Sequence, residues 1–549
     1  MLAVGIQCSV AATLAKRDAG AAVKVGERLF SEPRFAQYFE AHCNGNLNAL
    51  LASSDPRLDP EGPGSSGLTT LNGQSRGRTS SCASCHFTTV PNGQTDLNLG
   101  GLRTFSDTTA RSPVPARSDD HRTTSRHTPS LVDLLVQAND SGLLHYDGEF
   151  STAEDLVVGT YTGRNFGWLP DEQAAARRHF ARVIRADDGT QRLAMDGPHL
   201  SYASILRGTD KDIPEGWRLP DSFRFDPVHA NDDEILRGCA KLVVAYLRSL
   251  HFSQDEEVQY NGSPYDAFLA ANRLPRAPKP GESLPQYTHR LSEAVGALRA
   301  PRYILDPDRT MRINKQPFRF GELELRGLKI FFRSAIGKSQ ASGTGNCAEC
   351  HAPPHFTDLS FHNTGVAQDE YDKVHRAGAF ASLVIPDLPT RSADYDRWLQ
   401  PTVQHPKASG VFLSPAVATA QDRTDLGLWN VYGNPDMPSS QAKIEHLINR
   451  NGQLCQTEVL ALTVGRFKTT GVRDLGQSGP FFHNGQEHTI EEVIAFYQRM
   501  SALAHEGKMR NAPPEFFDMR LDATDVAPLA AFLRALNEDY DGTNDPGRK

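Results

Sequence analysis

Apolar residues recur at helical spacing in four stretches of this chain, Asp232 to Leu250, Leu323 to Phe332, Thr489 to Met500 and Ala523 to Leu536. No comparable alternation marks strands, so the pattern predicts a mainly α fold. In the third stretch Thr489 and Glu492 form a capping box, and Ile490, Val493, Ile494 and Tyr497 share one apolar face. Met500 lies one turn later on nearly the same face. The segments Val25-Gly26-Glu27-Arg28-Leu29-Phe30 and Arg326-Gly327-Leu328-Lys329-Ile330-Phe331-Phe332 each read as the end of an amphipathic helix, and their likeness suggests a duplicated domain. The polar stretches Ala52 to Arg78 and Thr104 to Thr128 read as long loops. Asn261 to Pro317, with Pro275, Pro278, Pro280 and Pro285, reads as a linker carrying an insertion.

At 549 residues the chain has room for about two to four domains and an ordinary apolar core. Its formal net charge of -8 is spread among interspersed acids and bases, which argues against a nucleic acid or an anionic membrane as partner. No apolar run reaches the length of a membrane span. Leu2 to Ala15 is mildly apolar, lacks preceding basic residues and contains Gln7, so it reads as a weak or truncated signal peptide on a nearly mature chain. The expected organisation is an N-terminal segment over 1–24, one domain over 25–260, a linker with insertion over 261–320, and a second domain with a C-terminal helix over 321–549.

Two copies of C-x-x-C-H change this picture. Cys82 to His86 reads CASCH and Cys347 to His351 reads CAECH. The spacing lets Cys82 with Cys85, and Cys347 with Cys350, reach the two vinyl groups of one porphyrin while His86 or His351 ligates iron from one side. Two covalently bound haem c groups are therefore expected. A four-thiolate zinc cluster is the alternative, but zinc ribbons place their pairs about fifteen to twenty residues apart and leave the trailing histidines unexplained. Covalent haem attachment takes place outside the cytoplasm, which points to the periplasm. Cys8, Cys43, Cys239 and Cys455 remain, and disulfides among them are permitted there.

Several separated runs carry a resemblance. Gly26-Glu27-Arg28-Leu29-Phe30-Ser31-Glu32-Pro33-Arg34 precedes CASCH; Arg126-His127-Thr128-Pro129-Ser130-Leu131 and Asp147-Gly148 follow it. Ser263-Pro264-Tyr265-Asp266-Ala267-Phe268 lies between the halves. After CAECH come Phe467-Lys468-Thr469-Thr470-Gly471-Val472-Arg473 and Gly479-Pro480-Phe481-Phe482-His483-Asn484-Gly485. In this order they resemble the bacterial dihaem cytochrome c peroxidases and MauG-type enzymes, with insertions near 40 to 78, 170 to 230, 270 to 315 and 368 to 460. The resemblance implies two cytochrome c-like haem domains facing each other, the first haem reacting with hydrogen peroxide and the second storing or relaying oxidising equivalents.

It also implies site residues. Counting from Phe482-His483-Asn484-Gly485, the sixth ligand of the second haem falls on Tyr497, where MauG has tyrosine and the best-known peroxidases have methionine; a slipped register would give Met500. A core aromatic is the plainer reading of Tyr497. A phenolate favours higher oxidation states, whereas a thioether suits an electron-accepting haem. Tyr146 stands where relatives carry a tryptophan between the haems and is a candidate relay. Arg126 and Arg164 join it as candidate catalytic residues, Arg164 to polarise peroxide. The glutamine and glutamate that relatives carry after Asp-Gly have no clear counterpart. Glu154, Asp155 and Glu172 read as solvated helix residues, and His121 as a loop histidine. The calcium ligands of relatives fall on His127, Ser478 and Pro480, and histidine is a poor calcium ligand. The electron donor or protein substrate is open. A conventional peroxidase and a non-catalytic dihaem carrier are the competing functions.

Overall fold

The computed structural model describes residues 20–48, 81–87, 103–104, 119, 126–137, 142–190, 199–311, 314–334 and 343–538. His121 and Cys8 lie outside them. Among the described residues the fold is mainly helical, with three two-stranded antiparallel pairs.

The four long periodic stretches become the helices Asp232–Ser249, Glu322–Phe332, Ile490–His505 and Ala523–Arg534. Their starts are set by side chains that satisfy the open N–H groups of the first turn. Asn231 accepts from Asp233 and Glu234, and Thr489 from Glu492, each with a glutamate reaching back.

Two helix crossings organise the two halves in the same way. Residues 20–30 are helical and pack on Asp232–Ser249 at Gly26, where a Cβ would collide with the Leu242 carbonyl. Glu322–Phe332 crosses Ala523–Arg534 at Gly327, where a Cβ would collide with the Pro528 carbonyl. Only glycine lets backbones approach so closely. Pro528 also leaves the Thr524 carbonyl without its helical donor, and Arg326 Nη2 reaches that oxygen at 3.4 Å. The repeated Val-Gly and Arg-Gly segments thus mark equivalent crossings, each N-terminal to a C-x-x-C-H motif.

The first core joins Val25, Leu29 and Phe30 to Tyr161, Phe180, Leu242 and Tyr246. Beneath it lies a buried charge cluster: Arg34 bridges Glu32 at 2.7 Å and Asp187 at 2.9 Å, and Tyr202 donates to Glu32 at 3.0 Å. The second core gathers Phe331, Phe356, Ile494 and Phe532. Tyr265, Phe268 and Leu291 belong to it as well, so the segment 261–320 folds onto the second half through the helices Pro264–Ala271 and Leu284–Ala297 and a hairpin of Ile304–Thr310 with Pro317–Phe320. The inserted region after residue 366 builds a third core around Trp429 and Phe412. Arg391 is buried there against the Trp429 ring, donating to the Trp429 and Tyr432 carbonyls.

Candidate haem sites and the seam between them

At the first motif Cys82–Cys85 form one helical turn, and His86 begins a short strand paired with Arg103–Thr104. Burial pushes the Cys85 thiol up to about 12 and lowers His86 to about 3, the Pro129 backbone pulling the imidazole the other way. His86 Nδ1 is buried without a hydrogen-bond partner, and its ring lies 6.3 Å from that of Phe30.

The second motif is held more tightly. Asn346 takes the left-handed conformation that asparagine tolerates, its N–H bonds the Arg333 carbonyl at 2.9 Å and its side chain the Glu515 carbonyl at 3.0 Å. Cys347–Glu349 then turn, and His351 N–H closes on the Cys347 carbonyl. His351 Nδ1 donates to the Phe356 carbonyl at 3.1 Å, which leaves Nε2 as its ligating atom. Burial lowers its pKa and raises that of Cys347 to about 12.

These residues fit haem. In both motifs the two thiols are free, and each pair is followed by a half-buried imidazole whose pKa desolvation lowers. Among the described residues Cys43, Cys239 and Cys455 are also free thiols, with Cys239 buried and Cys455 exposed.

Tyr497 is ringed by Phe482, Phe496 and Phe516, with centroids 5.8 to 6.2 Å away. Burial raises its phenol, and the sulfurs of Cys350 and Cys347 raise it further, so the hydroxyl lies within electrostatic reach of the second motif. Met500, one turn on, is buried in the same cluster as Tyr497, with Val366 and Met509, and its methyl fills the space beside Gly365.

The two halves meet along a seam built from the runs singled out in the sequence. His127 N–H donates to the His483 carbonyl at 2.7 Å, and the His483 ring stacks on Phe467 at 3.6 Å and stands 6.4 Å from Tyr146. Arg126 grips Asp425 with two hydrogen bonds of 2.6 and 2.9 Å and turns its third nitrogen to Asp147. Burial works against the guanidinium charge, but the two carboxylates more than offset it. The side chain sequence reading nominated for catalysis is thus fully engaged in ion pairs. Arg164 faces Glu149, which also accepts from His145 Nδ1 at 3.1 Å. Burial opposes the Glu149 charge, but Arg164 and His145 hold the carboxyl below its usual range.

Glu149, His145 and Asp425 were not nominated by sequence reading. Glu149 directly follows the Asp-Gly pair, a signal available in the chain; Asp425 lies in the inserted region and had none. Glu154 and Asp155 start the helix Ala153–Tyr161, where Thr152 and Asp155 bond each other, and Glu172 accepts from the Leu169 N–H. His127 Nε2 lies 3.4 Å from the Ser478 carbonyl. Between the halves a cavity of about 70 Å³ is lined by Pro129, Tyr146, His355, Lys468, Thr470 and Arg473. Burial lowers Lys468 to about 8, and its ammonium donates to the Leu143 carbonyl at 2.7 Å.

Fold and sites together define a mainly helical protein of two halves, each carrying one C-x-x-C-H motif, joined across a polar seam. No family model matches the chain. A stretch of 85 residues is 35% identical to cytochrome-c peroxidase IdrP2 of Pseudomonas sp. (strain SCT), covering 16% of this chain and 21% of that protein. Another of 74 residues is 34% identical to cytochrome-c peroxidase IdrP1 of Denitromonas iodatirespirans, covering 14% and 18%. The chain therefore aligns with about a fifth of the length of these curated relatives. Among solved structures, a MauG-like protein associated with microbial copper homeostasis overlaps 96% of this chain and 93% of its own at 16% identity and a TM-score of 0.42. The dihaem peroxidase BthA of Burkholderia thailandensis overlaps 94% and 86% at 17% identity and a TM-score of 0.40. What the comparisons show is local sequence likeness to two cytochrome-c peroxidases.

Proposed function

We propose that this protein is a hydrogen peroxide-dependent oxidoreductase with two covalently attached haem c groups, the first activating peroxide and the second, closed by Tyr497, storing or relaying oxidising equivalents as in MauG. The observation that carries this reading is the setting of Tyr497, which stands within electrostatic reach of Cys347 and Cys350 and is ringed by three aromatic side chains.

Haem at each motif would supply the iron that reacts with peroxide and the two one-electron couples that hold its oxidising power. The chain's own part is positional. Cys82 and Cys85 would anchor the first group and His86 ligate it; Cys347, Cys350 and His351 do the same at the second. The Phe356 carbonyl fixes the His351 tautomer and strengthens its donor character. Arg126, with Asp147 and Asp425, locks the seam beside Tyr146 and acts as a positioning residue. His145 is the proton-moving group best prepared near the first motif, because Glu149 accepts from its Nδ1 and leaves Nε2 for exchange. Arg164 holds that carboxylate in its ionised form.

Among the described residues no helix is long and apolar enough to cross a membrane. The periplasm is the proposed compartment, since haem c is attached outside the cytoplasm. The reducing partner is a small redox protein or an oxidisable protein side chain.

Electron paramagnetic resonance of the oxidised holoprotein tests the reading. One high-spin and one low-spin haem, with the spectrum changed by peroxide without prior reduction, is the expected result. Two low-spin haems indifferent to peroxide would instead make the protein an electron carrier, and a requirement for half-reduction would make it a conventional peroxidase.

A further inference from the structure

Tyr260 is buried where the two halves meet, and its hydroxyl is bonded on both sides. It donates to the Asp133 carboxylate, and it lies 2.6 Å from His355 Nδ1. A hydroxyl has one proton, so the donor to Asp133 must accept from His355. Asp133 comes from the first half, four residues beyond Pro129, whose backbone acts on His86. His355 follows His351 by four residues and lines the cavity that also takes in Tyr146.

We propose that Tyr260 is a redox-active tyrosine carrying oxidising equivalents between the two haem sites, with Asp133 as its built-in proton acceptor. The proposal rests on the peroxidase reading above. Oxidising a phenol in a protein interior is feasible only if the proton leaves with the electron, and the surroundings enforce this. The Arg473 guanidinium lies 4.1 Å from the centre of the Tyr260 ring, fixed by two hydrogen bonds to Asp266 of 2.9 and 3.0 Å. A positive charge there penalises a cationic ring, whereas a neutral phenoxyl is unaffected in net charge. Burial raises Asp133, which makes its carboxylate a better base than an exposed one.

The balance is simple. One electron passes from the ring to an oxidising equivalent generated by peroxide, the Tyr260 O–H bond breaks, and the proton moves to Asp133 Oδ2. The His355 Nδ1–H bond remains on the phenoxyl oxygen. When the reducing substrate returns the electron, the proton returns with it. Tyr146, the relay expected from sequence, is less suited, because among the described residues no carboxylate is bonded to its hydroxyl as Asp133 is to that of Tyr260.

Freeze-quenched holoprotein mixed with peroxide, prepared with ring-deuterated tyrosine, provides the test. An organic radical whose signal narrows on deuteration is expected in the unaltered protein and absent in Tyr260→Phe, which keeps the ring and its packing. Asp133→Asn is expected to slow radical formation about a hundredfold and to alter its solvent isotope effect. Thermal unfolding of both variants reports whether they fold. An unchanged radical in folded Tyr260→Phe, or its loss in Tyr146→Phe alone, overturns the relay while leaving the peroxidase reading intact. Haem spectra indifferent to peroxide overturn both.

Discussion

Arg126 and Asp425 are 299 residues apart in sequence and joined by two parallel hydrogen bonds at the seam. Asp147 completes the cluster, and all three side chains are largely shielded from water. Removing the guanidinium would leave two buried carboxylates without their cation, Asp425 keeping only the Gly427 N–H and Asp147 only that of Glu149, a loss of about 3–5 kcal/mol. Arg126→Ala is expected to lower the urea midpoint accordingly, and Arg126→Lys to recover only part of it because lysine lacks the fork. A stable Arg126→Ala protein that had lost only its reaction with peroxide would give this residue a direct role in the chemistry.

The paired glycine crossings lead to a second expectation. Alanine at Gly26 or Gly327 drives a methyl into a backbone carbonyl of the facing helix. Overpacking of this kind costs about 1–3 kcal/mol. Since each crossing precedes one haem motif, Gly26→Ala should lower haem content at the first site and Gly327→Ala at the second, read by pyridine haemochrome assay and peptide mass analysis. Full occupancy of both sites in both variants would refute the link.

The second haem offers a paired substitution. Tyr497→Phe is expected to change the low-spin signal and the optical spectrum of the oxidised holoprotein, while Met500→Leu should leave both alone and cost stability through the contact with Gly365. The opposite pattern would transfer the ligand role to Met500.

His355 carries a pH dependence whose sign is fixed. Burial, and after it Arg473, lower it from 6.5 to about 4. As pH falls from 6.5 towards 4 the unfolded chain takes up a proton that the folded chain refuses, so stability drops across that window and levels off below it. His355→Gln should show a shallower fall between those limits in urea titrations than the unaltered protein. Identical slopes would assign the effect elsewhere.

What could be read from the sequence follows from physical range. The helices Asp232–Ser249 and Ile490–His505 announced themselves by period and by caps within three residues, and the haem motifs by a five-residue spacing. Tyr497 can be counted to along the chain because one capped helix carries it. Contacts made only by tertiary closure left no trace. Nothing near Asp425 advertises Arg126, and Tyr260 in a loop gives no sign of Asp133 or His355. The segment 261–320 misled through its prolines: Pro264 occupies the first turn of a helix, and Pro285 does the same in Leu284–Ala297. Glu149 is legible beside Asp147-Gly148, but its partners Arg164 and His145 are set by tertiary closure.

The interlocking of the halves has a consequence for biogenesis. Arg126 and Asp133 belong to the portion made first, yet Asp425 and Arg473, which neutralise or flank them, emerge much later. The leading half therefore cannot complete the Arg126 cluster or the flank of Tyr260 until the trailing half has been delivered. The halves share a glycine crossing and a motif, yet side chains from both ends of the chain interlock them: severed from its fellow, neither could be expected to mature alone.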